Sequence, residues 1–553
     1  MTPPATNSET RRFNAVAQSF LEKSHELFPQ DASAQGLHQF DGLLGENTPA
    51  IYLSYIRLLE ATLQAVETLA ETAFSGDDWL DRRGFLAMLR SDLFFTRDFA
   101  HWRRNPQVHC DAAVSSIFDL VVRNTENLPK ALPNIESRLG KIPAFLAAGA
   151  ACLKEPVPLW CKLAVQACDG AVLFLAELQN ELVAISTNRP RTRRLFEGAI
   201  AAFKSYARAV KGKKPGHANG FSIGRENFEF LIRERLGMSL SLPEAEAQGR
   251  KLVEQLTRLQ KIEAAKLGRG RASEIIEAAA ARWQPKRPLI DEYRAGTAEM
   301  RRRFARAGLL TFPRDETLKV LPVPEFLRHQ FPTAAYNSPG CYDKKQTGIF
   351  WVNDLSLIQK DPEKKKAEIR QHFGLELTCA HEAYPGHHAQ FVTQNRHRSK
   401  LRRHFHHAIY YEGWTLWCEK MCIDHGIYDA PHARLSQVSD ALWRAWRIIV
   451  DCGLHSGALD YKKACKVLMD GVGFTAARAQ GDVNWYTSAP TVPMSYLLGR
   501  LEVEKLHAKL VGEAGWSVKK FNDWMLGYGA VPWSWIWQSA LTSQNLSIAP
   551  PRR

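Results

Sequence analysis

Apolar residues recur at three- and four-residue steps along most of this 553-residue chain, which predicts a mainly helical protein. The clearest helical segments are residues 53–73, 196–210 and 244–267, and another is predicted at 362–382. The segment at 244–267 follows the start signal Ser241-Leu242-Pro243-Glu244 and stops before Gly268. We therefore expect a large multi-helix architecture.

One stretch, residues 333–354, interrupts the helical pattern with turn residues followed by the β-prone run GIFWVN at 348–353. This run predicts a small β-sheet beside the helix at 362–382. Two interpretations are open. The strand either lends its edge to an extended peptide through main-chain hydrogen bonds, or belongs to a structural hairpin. In the first case Asn353, at the end of the run, is a candidate substrate-binding residue.

The clearest loop is residues 212–224, which read GKKPGHANGFSIG. Its lysines and glycines lack the G-x-x-x-x-G-K-[ST] spacing of a phosphate-binding loop, so a flexible connection is favoured. We place a soft boundary here between an N-terminal helical region, residues 1–215, and a catalytic region, residues 216–553. The alternative is one continuous helical shell.

The formal net charge of +15 raises the question of an acidic partner. The basic residues fall in short clusters beside proline, glycine or acidic residues, as at Lys364 to Lys366 next to Glu363. Nucleic-acid binding would place them with aromatic residues on one face, so we expect no nucleic-acid partner. A basic cleft that attracts carboxylate-bearing substrates remains open.

Two further observations predict a cytoplasmic protein without membrane association. The polar start lacks the apolar stretch of a secretory signal, and the apolar regions at 144–153 and 164–185 are short or interrupted by polar and charged residues.

The ten cysteines include no C-x-x-C pair and are too sparse for a disulfide scaffold. Cys418 and Cys422 lie one helical turn apart, and we interpret them as buried, reduced thiols rather than ligands.

Residues 381–388, which read HEAYPGHH, carry the most specific chemistry. In an H-E-x-x-H helix, two histidines four residues apart bind zinc and the glutamate polarises the bound water. Position 385 is proline here, and the next histidines follow His381 at six and seven residues. On a straight helix His387 would face away and His388 would lie about 10 Å further along. We expect Pro385-Gly386 to bend the helix and return one of them to the metal.

A third ligand is expected on a separate helix, and the segment YYEGWTLWCE at 410–419 fits. Glu412 and Glu419 are seven residues apart and share one helix face. One of them can bind the metal while the other supports a histidine from outside the ligand set. Two imidazoles, one carboxylate and an open position are what a catalytic zinc site requires.

Three motifs together resemble the DUF885 family of bacterial proteins, whose signature runs H-E-x-x-P-G-H, E-G-W-A-L-Y and P-x-Q-A-x-x-Y-x-x-G. The corresponding segments here are HEAYPGHH at 381–388, EGWTLWCE at 412–419 and PTVPMSYLLG at 490–499. The resemblance implies a metallopeptidase-like fold, similar to the gluzincins, with a deep central channel, and it favours His387 over His388 as the ligand. Departures at Thr415, Trp417 and Val492-Pro493 bear on substrate preference more than on the metal site.

The remaining candidates each have two interpretations. Tyr496 either donates a hydrogen bond to the oxyanion of the reaction or is a packed core tyrosine. Arg500 either binds a substrate carboxylate or forms an ion pair with a nearby acid, and His388 is a further candidate substrate contact. Five other residues are interpreted as surface histidines or core tryptophans: His404, His406, His407, Trp414 and Trp417.

The expected function is zinc-dependent hydrolysis, with one Zn²⁺ held by His381, His387 and Glu412 and with Glu382 as general base. Glu419 is expected to support one of the histidines from outside the ligand set. We favour a metallopeptidase that cleaves short peptides. The alternatives are hydrolysis of a non-peptide amide or ester, and a non-catalytic helical protein with a vestigial metal site. The intact Glu382 argues against the last alternative, because a structural zinc needs no base beside its ligand. The sequence does not indicate the oligomeric state.

Overall fold

The computed structural model describes residues 8–323, 328 and 333–542, and within them the chain is mainly helical, as predicted. The first helices are α1 (Ser8–Leu27), α2 (Pro29–Ala34), α3 (Pro49–Glu67), α4 (Gly76–Leu93), α5 (His101–Arg104), α6 (Gln107–Arg123), α7 (Leu128–Cys152), α8 (Pro158–Ile185) and α9 (Arg189–Lys211). Then follow α10 (Arg225–Leu236), α11 (Leu242–Leu267), α12 (Ala272–Arg282) and α13 (Leu289–Ala307).

The C-terminal part contains the three strands and the remaining helices. The strands are β1 (Glu316–Pro322), β2 (Ala334–Asn337) and β3 (Gln346–Val352). The helices are α14 (Pro362–Arg370), α15 (Leu375–Glu382), α16 (His387–Asn395), α17 (Ala408–Asp424), α18 (Ala433–Ser456), α19 (Tyr461–Val472), α20 (Ala476–Tyr486), α21 (Val492–His507), α22 (Val518–Leu526) and α23 (Trp533–Thr542).

Three of the four helical segments expected from the apolar periodicity are present. α9 contains residues 196–210, and α11 ends before Gly268, as expected. Ser241 and Glu244 cap α11 reciprocally, and the Ser241 amide donates to the Glu244 carboxylate at 2.8 Å. α3 ends at Glu67, earlier than expected, and a 3₁₀ turn at Glu71–Ala73 completes the segment. The loop predicted at 212–224 connects α9 to α10.

The single helix expected at 362–382 is wrong, because the chain forms two helices there, α14 and α15. The break lies at Gly374, whose φ of 77° is in the left-handed region that favours glycine. Apolar periodicity continues across this break, but the backbone does not. α15 is therefore a short helix of eight residues that ends at Glu382.

The predicted small sheet has three strands in the order β1-β3-β2. β3 pairs in parallel with β1 and antiparallel with β2, for example through Phe350 opposite Val320 and Tyr336. Both edges of β3 are therefore occupied, so the interpretation that this strand offers an edge to a peptide is wrong. Sequence reasoning identified the strand but could not identify its neighbours.

The sheet lies between two hydrophobic cores. On β3, Phe350 and Val352 belong to a large core formed by α1, α3, α4 and most helices after α10. Ile349 and Trp351 point to the opposite face and belong to a second core, formed mainly by α6 to α9. This alternation follows the two-residue period of a strand and fixes the sheet between the two groups of helices. The domain boundary near residue 215 stays a prediction.

Among the described helices, α8 alone meets the length and composition expected of a membrane span, with a mean hydropathy of 1.5 over its most apolar window. Its residues Ala164, Phe174 and Leu182 lie in the second core, and 39% of that window is buried within the protein. Asp169 and Glu181 lie on its exposed face. This arrangement is typical of an amphipathic core helix.

α17 and α21 approach each other closely at two glycines. A Cβ built on Gly413 would lie 2.6 Å from the carbonyl carbon of Gly499, and one on Gly499 would lie 2.2 Å from the Ile409 oxygen. Any larger residue at either position would separate the helices. The contact places Glu412, the residue before Gly413, beside the helix that carries Tyr496.

Candidate metal centre

The Pro385-Gly386 segment is a turn between two helices and not a bend within one. α15 ends at Glu382, the Tyr384–Pro385 peptide bond is cis, and α16 begins at His387. The Gly386 amide donates to the Ala380 oxygen at 2.9 Å, so the turn folds back onto α15. A Cβ on Gly386 would lie 1.7 Å from the His381 oxygen, so only glycine fits here. As a result the His381 and His387 ring centroids are 5.0 Å apart.

Glu412 on α17 completes a group of three potential ligands. Its Oε2 lies 3.7 Å from His381 Nε2 and 3.6 Å from His387 Nε2. The three ligand atoms all lie within 4.8 Å of one another, and all three residues are buried. Trp414 attaches α17 to the turn, because its Nε1 donates to the Pro385 oxygen at 2.9 Å. The two histidines and the glutamate expected from the sequence are therefore brought together.

Glu419 is not one of the three potential ligands, but it contacts His381 and orients its ring. Its Oε1 is 2.7 Å from His381 Nδ1, which leaves Nε2 of His381 directed towards Glu412. Burial opposes a charge on His381, but the carboxylates of Glu412 and Glu419 raise its pKa to about 10. Burial lowers the pKa of His387 to about 4 and keeps that imidazole neutral. The carboxylates of Glu412 and Glu419 thus stabilise positive charge at His381.

The arrangement of donors fits a metal ion. Glu412 Oε2 is buried and has no hydrogen-bond partner among the described residues, although it lies between two imidazoles. A buried carboxylate oxygen without a partner is unfavourable, and a cation held by the three residues would remove that cost. Two nitrogens and one carboxylate oxygen are donors that a first-row divalent metal accepts.

Glu382 and Tyr496 lie beside this centre. Burial raises the pKa of Glu382 to about 7, and the carboxylates of Glu412 and Glu419 act in the same direction while His381 opposes them. Glu382 nevertheless remains partly accessible. Burial opposes the ionisation of Glu412, but His387 and His381 lower its pKa, and Tyr496 on the neighbouring α21 acts in the same direction. The side chains of Glu382 and Tyr496 are thus both partly accessible beside the group of ligands.

His388 lies outside the group of ligands. It is fully buried, with Nδ1 2.9 Å from the Tyr336 hydroxyl and Nε2 2.7 Å from Glu316 Oε2. The Tyr384 hydroxyl donates to the same Glu316 oxygen at 2.7 Å. Because both ring nitrogens are engaged inside the protein, the prediction that His388 contacts substrate is wrong. His388 holds α16 against the sheet.

Arg500 and Asn353 are also engaged within the protein. Arg500 Nε lies 3.1 Å from Glu504 Oε1, one turn later on α21. Of the two interpretations of Arg500, this contact supports the ion pair. Asn353 is 1% exposed, and its Nδ2 donates to the Arg328 oxygen at 2.9 Å. The backbone amide of Asn353 donates to the Thr333 oxygen at 2.8 Å. The prediction that Asn353 binds substrate is therefore wrong, since it fastens the chain near the end of β3.

The remaining predicted residues are mostly structural. His407 is buried and bonds to the Arg235 oxygen at 3.0 Å, and His404 bonds to Tyr342 at 2.9 Å, so neither is a surface histidine. His406 is exposed. Trp414 and Trp417 lie in the core, and Cys418 and Cys422 are buried free thiols, as interpreted. Sequence reasoning missed Arg444 and Arg447 on α18, whose only signal was their place on a largely apolar helix.

The role of Glu419 gives a first prediction. We expect Glu419→Ala to lower metal affinity by about 10- to 100-fold, because His381 loses the partner that orients its ring. Titration of the metal-free protein against a competing chromophoric chelator measures this change. Glu363→Ala removes an exposed carboxylate from α14 and serves as the control, with unchanged affinity. Equal affinities for both variants would contradict the role of Glu419.

Comparisons with known proteins identify the family. The sequence matches DUF885, described as bacterial proteins of unknown function, over residues 29–538, so the chain belongs to this family. No curated protein matches the sequence.

Two solved structures share the fold. One is described as a candidate lipoprotein of unknown function from Shewanella oneidensis, with a TM-score of 0.74 and 20% identity over 96% of this chain and 99% of that one. The other is described as a candidate lipoprotein from Colwellia psychrerythraea, with a TM-score of 0.74 and 18% identity over 97% of this chain and 99% of that one. At these identities the similarity establishes the architecture.

Proposed function

We propose that this protein is a zinc-dependent hydrolase, and specifically a metallopeptidase that cleaves short peptides. The observation that carries the proposal is the group of His381, His387 and Glu412, whose ligand atoms lie within 4.8 Å of one another directly beside Glu382. Structural zinc sites in proteins are closed by four protein ligands, whereas catalytic sites have three and one open position. A third ligand from a carboxylate and a neighbouring free carboxylate are typical of the second class.

Bound zinc would act as a Lewis acid and would activate water for attack on a carbonyl carbon. The chain supplies the remaining functions. Glu382, with its pKa raised to about 7, accepts the proton of the attacking water and delivers it to the leaving amine. Tyr496, on α21 beside Glu412, donates to the oxygen on which charge develops. Glu419 keeps His381 in the correct tautomer and orientation throughout.

The fold proposed for this activity is metallopeptidase-like, with a central channel that leads to the metal centre. Several side chains at the centre remain accessible although helices surround them: Glu382, Tyr411, Asp440 and Tyr496. The side chain of Asp440 is 44% exposed even though it lies close to Glu419 and His381. Such accessibility next to a buried ligand group supports an internal solvent-filled passage. A passage of this kind admits short, extended chains more readily than folded proteins.

The proposed substrate is a peptide or another small amide, without a nucleic-acid or membrane partner, and the proposed location is the cytoplasm. Several basic residues that could otherwise attract nucleic acid are paired with acids, as Lys366 is with Glu363 at 2.8 Å and Lys319 with Glu126 at 2.8 Å. All ten cysteines are free thiols, which suits a reducing compartment.

Metal analysis and substrate profiling test the proposal together. We expect purified protein to contain about one zinc per chain, because the site has a single set of three ligands. Activity against a library of short peptides should disappear after treatment with a chelator and return when zinc is added back. Protein that is active without metal would refute the proposal. Zinc-dependent cleavage of esters or non-peptide amides, with intact peptides left uncleaved, would retain the hydrolase and reject the peptidase.

A further inference from the structure

α18 carries two buried arginines three residues apart, Arg444 and Arg447, which are 9% and 5% exposed. Neither belongs to the machinery described above. Buried guanidinium groups are rare in proteins unless acids or carbonyl oxygens satisfy them. The surroundings of these two groups therefore indicate whether they are structural.

Arg447 lies next to the metal centre. Its guanidinium carbon is 4.7 Å from the centre of the Tyr496 ring and 4.1 Å from the Trp443 ring. Tyr496 lies on α21, which packs closely against α17 beside Glu412, so the Tyr496 side chain lies between Arg447 and the helix of a metal ligand. Arg444 also acts on the centre, because its charge opposes the rise in the pKa of Glu382.

The nearby acids do not satisfy this cluster. Arg444 Nη1 pairs with Asp440 at 3.2 Å, but Arg447 shares Asp482 with Arg478, at 3.8 Å and 3.7 Å. One oxygen of Asp482 also accepts from Trp443 and Tyr486, at 3.0 Å and 2.7 Å. Among the described residues, Nε and Nη1 of Arg447 have no hydrogen-bond acceptor, and neither does Nε of Arg444. Guanidinium donors that lack an acceptor thus lie beside Tyr496 and the metal centre.

We propose that Arg447, with Arg444 beside it, binds a carboxylate of the substrate, so that the enzyme prefers substrates with a free carboxylate near the cleaved bond. This inference rests on the proposed hydrolase activity at the same centre. A guanidinium N–H donates to a carboxylate oxygen in a strong, charge-assisted hydrogen bond, and a site built for an anion discriminates strongly against a neutral analogue. The carboxylate is either the C-terminus of a peptide or an acidic side chain.

A structural role for Arg447 makes a different prediction. If its charge served only to hold Tyr496 and Asp482, its loss would affect acidic and neutral substrates equally. The ratio of activity on an acid to activity on its amide therefore distinguishes carboxylate binding from a structural role of Arg447. The stability of an Arg447 variant does not, because both roles predict a loss.

The test compares acetyl-Ala-Ala-Ala with its C-terminal amide and with acetyl-Ala-Asp-Ala amide. Binding is measured by calorimetry on zinc-loaded Glu382→Gln protein, and kcat/KM is measured on the wild type. We expect the free acid to exceed the simple amide by about 100-fold, as for the loss of one partner from a buried charge pair. If the Asp-containing amide regains the affinity, the carboxylate comes from a side chain. If it does not, the carboxylate is the C-terminus, and both results support the carboxylate site.

Arg447→Met should abolish the preference, whereas Arg478→Met, which removes an equal charge from the same cluster, should keep it. A preference that survives in Arg447→Met would arise at the metal itself and would overturn the inference. If Arg447→Met does not fold, Arg447→Lys should reduce the preference without abolishing it, and an unchanged preference in Arg447→Lys would overturn the inference. In the wild type, equal binding of acid and amide would overturn it even if zinc and turnover are present. Absence of both zinc and turnover would instead refute the proposed function.

Discussion

Glu382→Gln should retain the bound zinc and lower kcat by about 100- to 10,000-fold, the range contributed by a positioned general base. The substitution preserves the shape of the side chain but removes its ability to accept a proton. The ligands His381, His387 and Glu412 are untouched, and the His381–Glu419 contact at 2.7 Å remains. Metal content by mass spectrometry and kcat on the best peptide of the library measure the two halves of this prediction.

Glu376→Gln is the matched control, because it removes the same charge from the same helix, α15, six residues earlier. Six residues at about 100° each place Glu376 on a different side of α15 from Glu382. Its substitution should therefore leave both zinc and turnover at wild-type levels. If Glu382→Gln also kept wild-type turnover, another group would have to be the base. If it lost zinc, Glu382 would be a ligand and the three-residue group would be incomplete.

Local sequence signals predicted much of the fold. The apolar periodicity located α9 and α11, and the cap at Ser241 and the stop at Gly268 fixed the ends of α11. Long-range pairing was not predictable in the same way. The order β1-β3-β2 depends on residues 316–322 and 334–337, which contact β3 only in the folded chain. The predicted peptide-binding edge failed for this reason.

In the candidate site, too, local features were predictable from the sequence and tertiary contacts were not. The spacing of the motif required a deformation at Pro385-Gly386, and the structure replaces the expected bend by a complete turn between α15 and α16. Both the expected bend and the observed turn bring a second histidine close to His381. Family resemblance alone favoured His387 over His388, because helix geometry does not apply across a turn. The structure brings His387 to the centre and directs His388 to Glu316.

The roles of residues that act through tertiary contacts could not be predicted from the sequence. Arg447 is one of 73 basic residues, and its place on a largely apolar helix is the only local feature that separates it from a solvent-exposed arginine. Its significance comes from the Tyr496 ring at 4.7 Å and from donors without acceptors, both of which depend on the packing of α18 against α21. Asn353 was wrongly predicted to bind substrate. A polar residue at the end of a strand can line a cleft or hold a neighbouring loop by a hydrogen bond, and the sequence does not distinguish the two.

His387→Ala should abolish stoichiometric zinc binding, whereas His388→Ala should retain zinc and lose stability. His387 supplies one of three ligand atoms, and the remaining pair cannot form the three-ligand set that a catalytic zinc requires. His387 makes no hydrogen bond through Nδ1 to any described residue, so its removal costs little beyond the metal. Zinc stoichiometry after dialysis against a weak chelator measures this half of the prediction.

His388→Ala removes the bonds to Tyr336 and Glu316 and leaves a largely buried carboxylate with fewer partners. We expect the free energy of unfolding to fall by about 3 kcal/mol, in line with the loss of hydrogen bonds to a buried charged group. Denaturant titration in the presence of a chelator excludes the stabilising effect of bound metal. His217→Ala, in the exposed loop before α10, is the control and should change neither quantity. If His388→Ala lost zinc and His387→Ala kept it, α16 would have to rotate so that His388 faced Glu412, and the Glu316 contact would then belong to His387.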